Sequence, residues 1–247
     1  MNKNLAHLLF ALPLTAFGVA ACDGGGSSEY DPVATGLSSL MSDPDAGETQ
    51  TFKDLVLAWR GQTPVGFTLE GDDIYVGRRG DLDFRFELDC VDTSAKIVRC
   101  DAKSDADVKI TWKGKIENAK YKLEIDRSAK VKITSVDEER VRVQGDLDYS
   151  LKSDFKDKLE DYRHKYDFDA DAKYDVVVMR ADGAIESGKL EADVSAKEKL
   201  EEDNTKIKSE LKTKMVVRYL DSQTSEVDFD SKAKYKLHLV EGGLELE

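Results

Sequence analysis

Apolar and polar residues alternate one by one through most of this chain. Leu82, Phe84, Phe86, Leu88 and Cys90 alternate with Asp81, Asp83, Arg85, Glu87 and Asp89. Val108, Ile110, Trp112, Gly114 and Ile116 alternate with Lys109, Thr111, Lys113 and Lys115, and Ala119, Tyr121, Leu123 and Ile125 with Lys120, Lys122 and Glu124. Val141, Val143, Gly145, Leu147, Tyr149 and Leu151 alternate with Arg142, Gln144, Asp146, Asp148 and Ser150. Residues 166–178, 188–200, 207–219 and 227–239 repeat the pattern. A period of two marks strands with one apolar face and one wet face, as antiparallel sheets have. Each of these later runs would reach roughly 40 Å at about 3.3 Å per residue. The pattern predicts an all-β fold: a curved antiparallel up-and-down meander of about ten long strands, closed as a barrel or left as a half-barrel or open sheet.

Turn residues punctuate the strands at Gly71-Asp72-Asp73, Arg79-Gly80-Asp81, Asp182-Gly183 and Asp203-Asn204, and Glu241-Gly242-Gly243 interrupts the last one. Two stretches depart from the period. In residues 153–165, Phe155, Leu159, Tyr162 and Tyr166 fall at helical spacing, which fits a short helix or a hairpin tip near Glu160-Asp161. From Phe52 to Arg60 a helix competes with a first strand, and the alternation of Leu55, Leu57 and Trp59 favours the strand. One echo, Asp167-Phe168-Asp169-Ala170-Asp171-Ala172-Lys173-Tyr174 against Asp228-Phe229-Asp230-Ser231-Lys232-Ala233-Lys234-Tyr235, fits either duplicated hairpins or reuse of a small alphabet.

The front of the chain is different. A single basic residue, Lys3, precedes a mostly apolar stretch from Leu5 to Ala21, which ends Val19-Ala20-Ala21-Cys22. These are the three parts of a secretory signal. The stretch is shorter than the about 20 apolar residues of a membrane-spanning helix and contains Pro13. Val19 to Cys22 resembles the lipobox of bacterial lipoproteins. That resemblance implies a signal peptide over residues 1–21, cleavage before Cys22, and lipidation of Cys22 with acyl chains such as palmitate. The protein is then anchored to a membrane of the cell envelope, facing the periplasm or the cell surface. Asp23 stands where an inner-membrane retention signal sits in some of these proteins, and the choice of membrane stays open. The Gly/Ser run from Gly24 to Ser28, with Pro32, Pro44 and several acids behind it, reads as a flexible tether over residues 22–50, leaving residues 51–247 as one all-β domain.

Charge and cysteine usage fit this placement. Loss of Lys3 takes the 37 basic residues to 36 against 50 acidic ones, a balance of −14. Such a surface argues against nucleic acid and against a body lying on anionic lipid, so the lipid anchor is the expected membrane contact. Of the three cysteines the lipobox takes Cys22 and leaves Cys90 and Cys100, which an oxidising compartment should join. Both are in phase with apolar neighbours, Leu88 and Val98. Two cysteines without a nearby histidine do not make a zinc site.

Candidate chemistry is sparse. The acids fall on the polar strand faces, where solvent keeps carboxylates ordinary. Asp43-Pro44-Asp45-Ala46-Gly47-Glu48 lacks the spacing of a calcium loop and belongs to the tether. His164 sits in a charged turn region and His238 on a polar face, and neither has a nucleophile motif beside it. No cofactor, metal or enzymatic activity is expected. One feature invites a function. Small residues (Gly114, Gly145, Ala170, Ala172, Ala192, Ser209, Ser231 and Ala233) share the inward phase with Tyr149, Phe168, Tyr174, Val194, Met215, Phe229 and Leu237. They serve curvature or line a space for an apolar ligand. The expected function is a non-catalytic envelope lipoprotein acting as a structural or interaction module, with an envelope protein or lipid as partner. The alternative is a carrier or sensor of a lipid or acyl chain.

Overall fold

A computed structural model describes residues 30–42, 47–92, 96, 99–101, 104–117, 121–157, 162–202, 205–239 and 244–246. The expected signal segment, Cys22, the Gly/Ser run, residues 43–46, the Asp203-Asn204 turn and Glu241-Gly242-Gly243 lie outside the described residues. No described helix is long and apolar enough to cross a membrane.

The described chain is one antiparallel sheet with two helices ahead of it. The helices are α1 (Asp31–Ser42) and α2 (Glu48–Trp59). Twelve strands follow: β1 (Phe67–Leu69), β2 (Ile74–Arg79), β3 (Leu82–Val91), β4 (Asp105–Glu117), β5 (Tyr121–Ser135), β6 (Arg140–Asp157), β7 (Tyr162–Met179), β8 (Ile185–Glu202), β9 (Thr205–Tyr219), β10 (Thr224–Phe229), β11 (Ala233–His238) and β12 (Leu244–Leu246). Each strand pairs with the next in chain order and β1 does not meet β12, so the sheet is an open up-and-down meander. The central strands β6, β7 and β8 are each 18 residues long, roughly 60 Å at about 3.3 Å per residue. Residues 153–157 and 162–165 are strand, with Asp157 opposite Tyr162, and the expected tip at Glu160-Asp161 lies outside the described residues.

Alternation does what period two requires. Tyr149, Phe168, Ala172, Tyr174, Val194, Met215, Phe229 and Leu237 are all buried in one continuous apolar core, with Ala233 packed against it at the edge. Their odd-phase neighbours, Asp167, Asp169, Asp171 and Lys173 on β7 among them, face solvent. Two of the small residues in the supposed interior are elsewhere. Ser209 is exposed, and Ser231 is an exposed turn residue between β10 and β11 with φ 56°. The run 227–239 is therefore a hairpin rather than one strand. Its match to 167–174 pairs a turn with a continuous strand, so the echo is shared alphabet and not a structural repeat.

The larger correction is at the front. Residues 30–42 and 47–50 of the supposed tether are part of the folded body. Val33, Leu37, Leu40 and Met41 on α1 and Leu55, Val56, Ala58 and Trp59 on α2 are 0% exposed. Residues 52–59 form a helix capped by Arg60 and not a first strand, because Phe52, Leu55, Val56 and Trp59 make an i, i+3, i+4, i+7 stripe that an enclosing sheet can cover. The described body thus includes residues ahead of 51, and it is a sheet with two helices in its concave face. Helix α1 packs on β8 and, through Gly36, comes close to Phe168 and Tyr166 of β7. Gly36 makes the approach possible: any Cβ there would collide with the rings of Phe168 and Tyr166. Gly183, at φ +72° in the β7–β8 turn, lies against the α2 backbone at Phe52 and Lys53 and serves both needs at once.

Cys90 at the end of β3 is disulfide-bonded to Cys100, and both are buried. The Cys100 N–H donates to Asp73 Oδ2 at 2.9 Å, tying the bridge to the β1–β2 turn. Closing a short loop should contribute about 2–3 kcal/mol. Thiol trapping of the unreduced protein should find neither cysteine alkylated, and reduction should lower the unfolding midpoint accordingly.

Candidate functional site

The polar chemistry of this molecule lies where the two helices meet the sheet. On β5 the inward phase runs Leu123, Ile125, Arg127, Ala129, Val131, so a guanidinium occupies an apolar position. Arg127 is 1% exposed. Its partner is Glu48 in the first turn of α2, 0% exposed, where the unpaired N–H groups of the helix also favour a negative charge. Arg127 donates further from Nη1 to Thr51 Oγ1 at 2.9 Å and from Nη2 to the Tyr174 hydroxyl at 2.8 Å. Tyr174 donates to Glu48 Oε1. The Arg127 guanidinium also lies over the Trp112 ring, 5.0 Å from its centroid. Thr51 from α2, Trp112 from β4 and Tyr174 from β7 thereby converge on one buried charge pair.

Burial raises the Glu48 pKa above its ordinary value, and the charge and hydrogen bond of Arg127 pull it back only in part. Burial likewise raises the neighbouring Tyr219 hydroxyl well above its ordinary range, with the Glu48 charge adding to it. Among the described residues, Glu48 Oε2 and Arg127 Nε have no hydrogen-bond partner.

A second acid on α2 repeats the arrangement nearer the β2–β3 turn. Asp54 meets Arg79 Nη2 at 2.7 Å, with the two side chains 4% and 14% exposed. Burial again raises the Asp54 pKa against the pull of Arg79. Arg79 in turn stacks over Phe67 and Phe84. At the helix C-terminus Trp59 Nε1 donates to Ser104 O at 2.9 Å, Arg180 lies over the Trp59 ring, and Arg60 Nη1 donates to Ala181 O at 3.0 Å. Helix α1 is tied to the sheet as well, among other contacts by the Tyr166 hydroxyl, which donates to Pro32 O.

These contacts fasten helices to a sheet. Glu48 and Tyr174 could exchange a proton, yet both are closed in by Arg127, Thr51 and core side chains, and acid–base catalysis needs a reacting group within hydrogen-bond reach. No three His, Cys, Asp or Glu side chains among the described residues are arranged to hold a metal ion. His164 is also not in a turn. It is buried on the inward face of β7, with Nε2 2.8 Å from Glu198 Oε1, and that contact holds the Glu198 carboxyl below its ordinary range despite partial burial. His238 is half-buried near the end of β11, 3.6 Å from Glu245.

Compared with known protein families, with characterised proteins and with solved structures, the chain matches none.

Sequence reasoning missed Glu48 and Asp54 because it placed them in a tether and a strand. Arg127 and Glu198 did leave a signal. Each is a charged residue on the apolar phase of a long strand, and a charge there must find a partner inside.

Proposed function

We propose that this chain is a non-catalytic lipoprotein of the bacterial cell envelope, held to a membrane by acyl chains on Cys22 and acting there as a structural or interaction module. The observation that supports the module over the carrier is the filling of the concave face. The surface an apolar ligand would need is occupied by α1 and α2 of the same chain, whose Val33, Leu37, Leu55 and Trp59 are fully buried in the same core. An open recess of about 210 Å³, lined by Leu200, Glu202, Thr205 and Ile207, falls below the roughly 300–1,000 Å³ of small-molecule pockets. The opposite sheet face is covered with paired basic and acidic residues, such as Lys113–Asp126 at 2.9 Å and Arg142–Asp175 at 2.7 Å. It offers a large, rigid, charged surface to other envelope components.

The anchor and the module are tested together. In Cys22→Ala, acyl labelling should disappear and the body should leave the membrane fraction, because the envelope attachment rests on that lipid. The purified wild-type body should take up no fluorescent fatty acid. Saturable uptake that Ala172→Leu abolishes without loss of stability would favour the carrier.

A further inference from the structure

The two ends of the sheet differ, and the anchor leaves from one of them. Helix α1 begins at the end where β4–β5, β6–β7 and β8–β9 turn. Pro32 lies at Tyr166, and Tyr30 stacks on Phe229 beside the β10–β11 turn with ring centroids 5.4 Å apart. It finishes at the other end, where Met41 meets the Tyr219 hydroxyl and the Ser42 hydroxyl donates to His238 O. The chain ahead of Tyr30 therefore departs from the first end. The eight residues from Cys22 to Tyr30 reach at most about 29 Å at about 3.6 Å each.

That same end carries an unfinished sheet edge. Strand β10 pairs with β9 only over Met215–Tyr219. From Thr205 to Leu211, β9 has β8 on one side and, among the described residues, no strand on the other. The segment Thr205–Lys212 holds three lysines and one glutamate in a chain of net charge −13. Ile207 is 57% exposed there, next to the recess bordered by Leu200. The opposite end presents Asp137, Glu138 and Glu139 in the β5–β6 turn and Asp221 in the β9–β10 turn, all exposed.

We propose that the β9 edge at Lys206, Ile207, Lys208 and Lys212 is a membrane-contact surface, which seats this end of the body on the headgroups of the bilayer that holds the anchor. The proposal rests on the reading of Cys22 as lipidated. A short leash brings this end to the surface, where the edge presents both faces of β9. Lys206, Lys208 and Lys212 on the outward face meet anionic headgroups, and Ile207 on the other face, opposite Leu200, enters the interface, while the acidic end is carried away from it. Edge lysines also discourage strand pairing, but that role does not call for an exposed isoleucine between them at the anchor end. The whole-chain charge argues against a body lying flat on anionic lipid. It does not argue against one standing on its least acidic end.

The test uses the mature, acylated full chain in vesicles of phosphatidylethanolamine and phosphatidylglycerol. Acylation consumes Cys22 and the disulfide consumes Cys90 and Cys100, so Ile207→Cys or Val136→Cys supplies the only thiol for an environment-sensitive fluorophore. Val136 is 48% exposed at the far end and serves as the reference. The expected result is a blue-shifted, lipid-quenchable emission at position 207 and a water-like emission at 136. Adding Lys206→Glu, Lys208→Glu and Lys212→Glu should abolish the shift without loss of acylation, and its persistence would count against the proposal. Acylated, vesicle-bound protein with water-like emission at both positions overturns the contact surface and leaves the anchor standing. Protein that carries no acyl chain and does not sediment with vesicles overturns both.

Discussion

Deleting residues 31–42 should unfold this protein. A tether could be shortened without effect on the folded body. Here the deletion removes Val33, Leu37, Leu40 and Met41, each 0% exposed. At about 1.5–3 kcal/mol for each buried side chain, roughly 6–12 kcal/mol is at stake. That is comparable with the whole stability of an ordinary domain, about 5–15 kcal/mol. The truncated chain should show no cooperative thermal transition and should bind a hydrophobic dye through the uncovered concave face. Gly36→Val is the gentler version, because it keeps the length of the chain and only forces α1 off Phe168 and Tyr166. Overpacking of this kind should cost about 1–3 kcal/mol or more. An unchanged urea midpoint in both variants would show that α1 does not belong to the core.

Arg127→Ala should be the most damaging single substitution of a polar residue. It leaves the Glu48 charge in the core with no opposite charge and strips partners from Thr51 and Tyr174. Breaking a buried pair from one side costs about 3–5 kcal/mol. Glu48→Ala should cost a similar amount, since it strands the guanidinium instead. Replacing both, as Glu48→Leu with Arg127→Met, should recover most of the loss, because two desolvation penalties vanish together. Urea unfolding of the four proteins forms the cycle, and strict additivity of the two single losses would refute the coupling.

The pH dependence carries the same signature. The folded pKa of Glu48 is raised, so the folded state binds this proton more readily than the unfolded chain does. Its contribution is therefore most favourable below the ordinary carboxylate value and declines as pH rises through the raised one. Asp54 behaves in the same sense. Surface acids paired with arginine, such as Asp154 with Arg163 and Asp175 with Arg142, have lowered values and act oppositely, losing their contribution as pH falls. In Glu48→Gln, the part of the stability curve that falls with rising pH between the ordinary and raised values should flatten.

The one-by-one alternation determined the class of this fold by itself. On a pleated strand the side-chain period is two, and so regular a pattern over long runs admits no arrangement except half-buried antiparallel strands in sequence. It also assigned Tyr149, Phe168, Tyr174, Met215 and Phe229 to one face, and it put Cys90 inward. Glycine and aspartate marked the turns at 71–73, 80–81 and 182–183 because those positions need left-handed or tight backbone, as Gly71, Gly80 and Gly183 show.

What only the tertiary structure decided concerns the concave face and the charges inside it. Periodicity tells which face is apolar but not what covers it, since a closed barrel, a bound lipid and a helix all satisfy the same stripe. Residues 31–42 look like linker because Gly36, Ser38 and Ser39 are poor helix formers. They become helix where Val33, Leu37, Leu40 and Met41 find a sheet to bury against, and packing outweighs a propensity deficit of under about 1 kcal/mol per residue. Glu48 and Arg127, 79 residues apart, are unremarkable one at a time. Their function as a clasp exists only after the sheet curves and brings α2 across β5. Long-range pairing of this kind leaves no local pattern for a sequence to display.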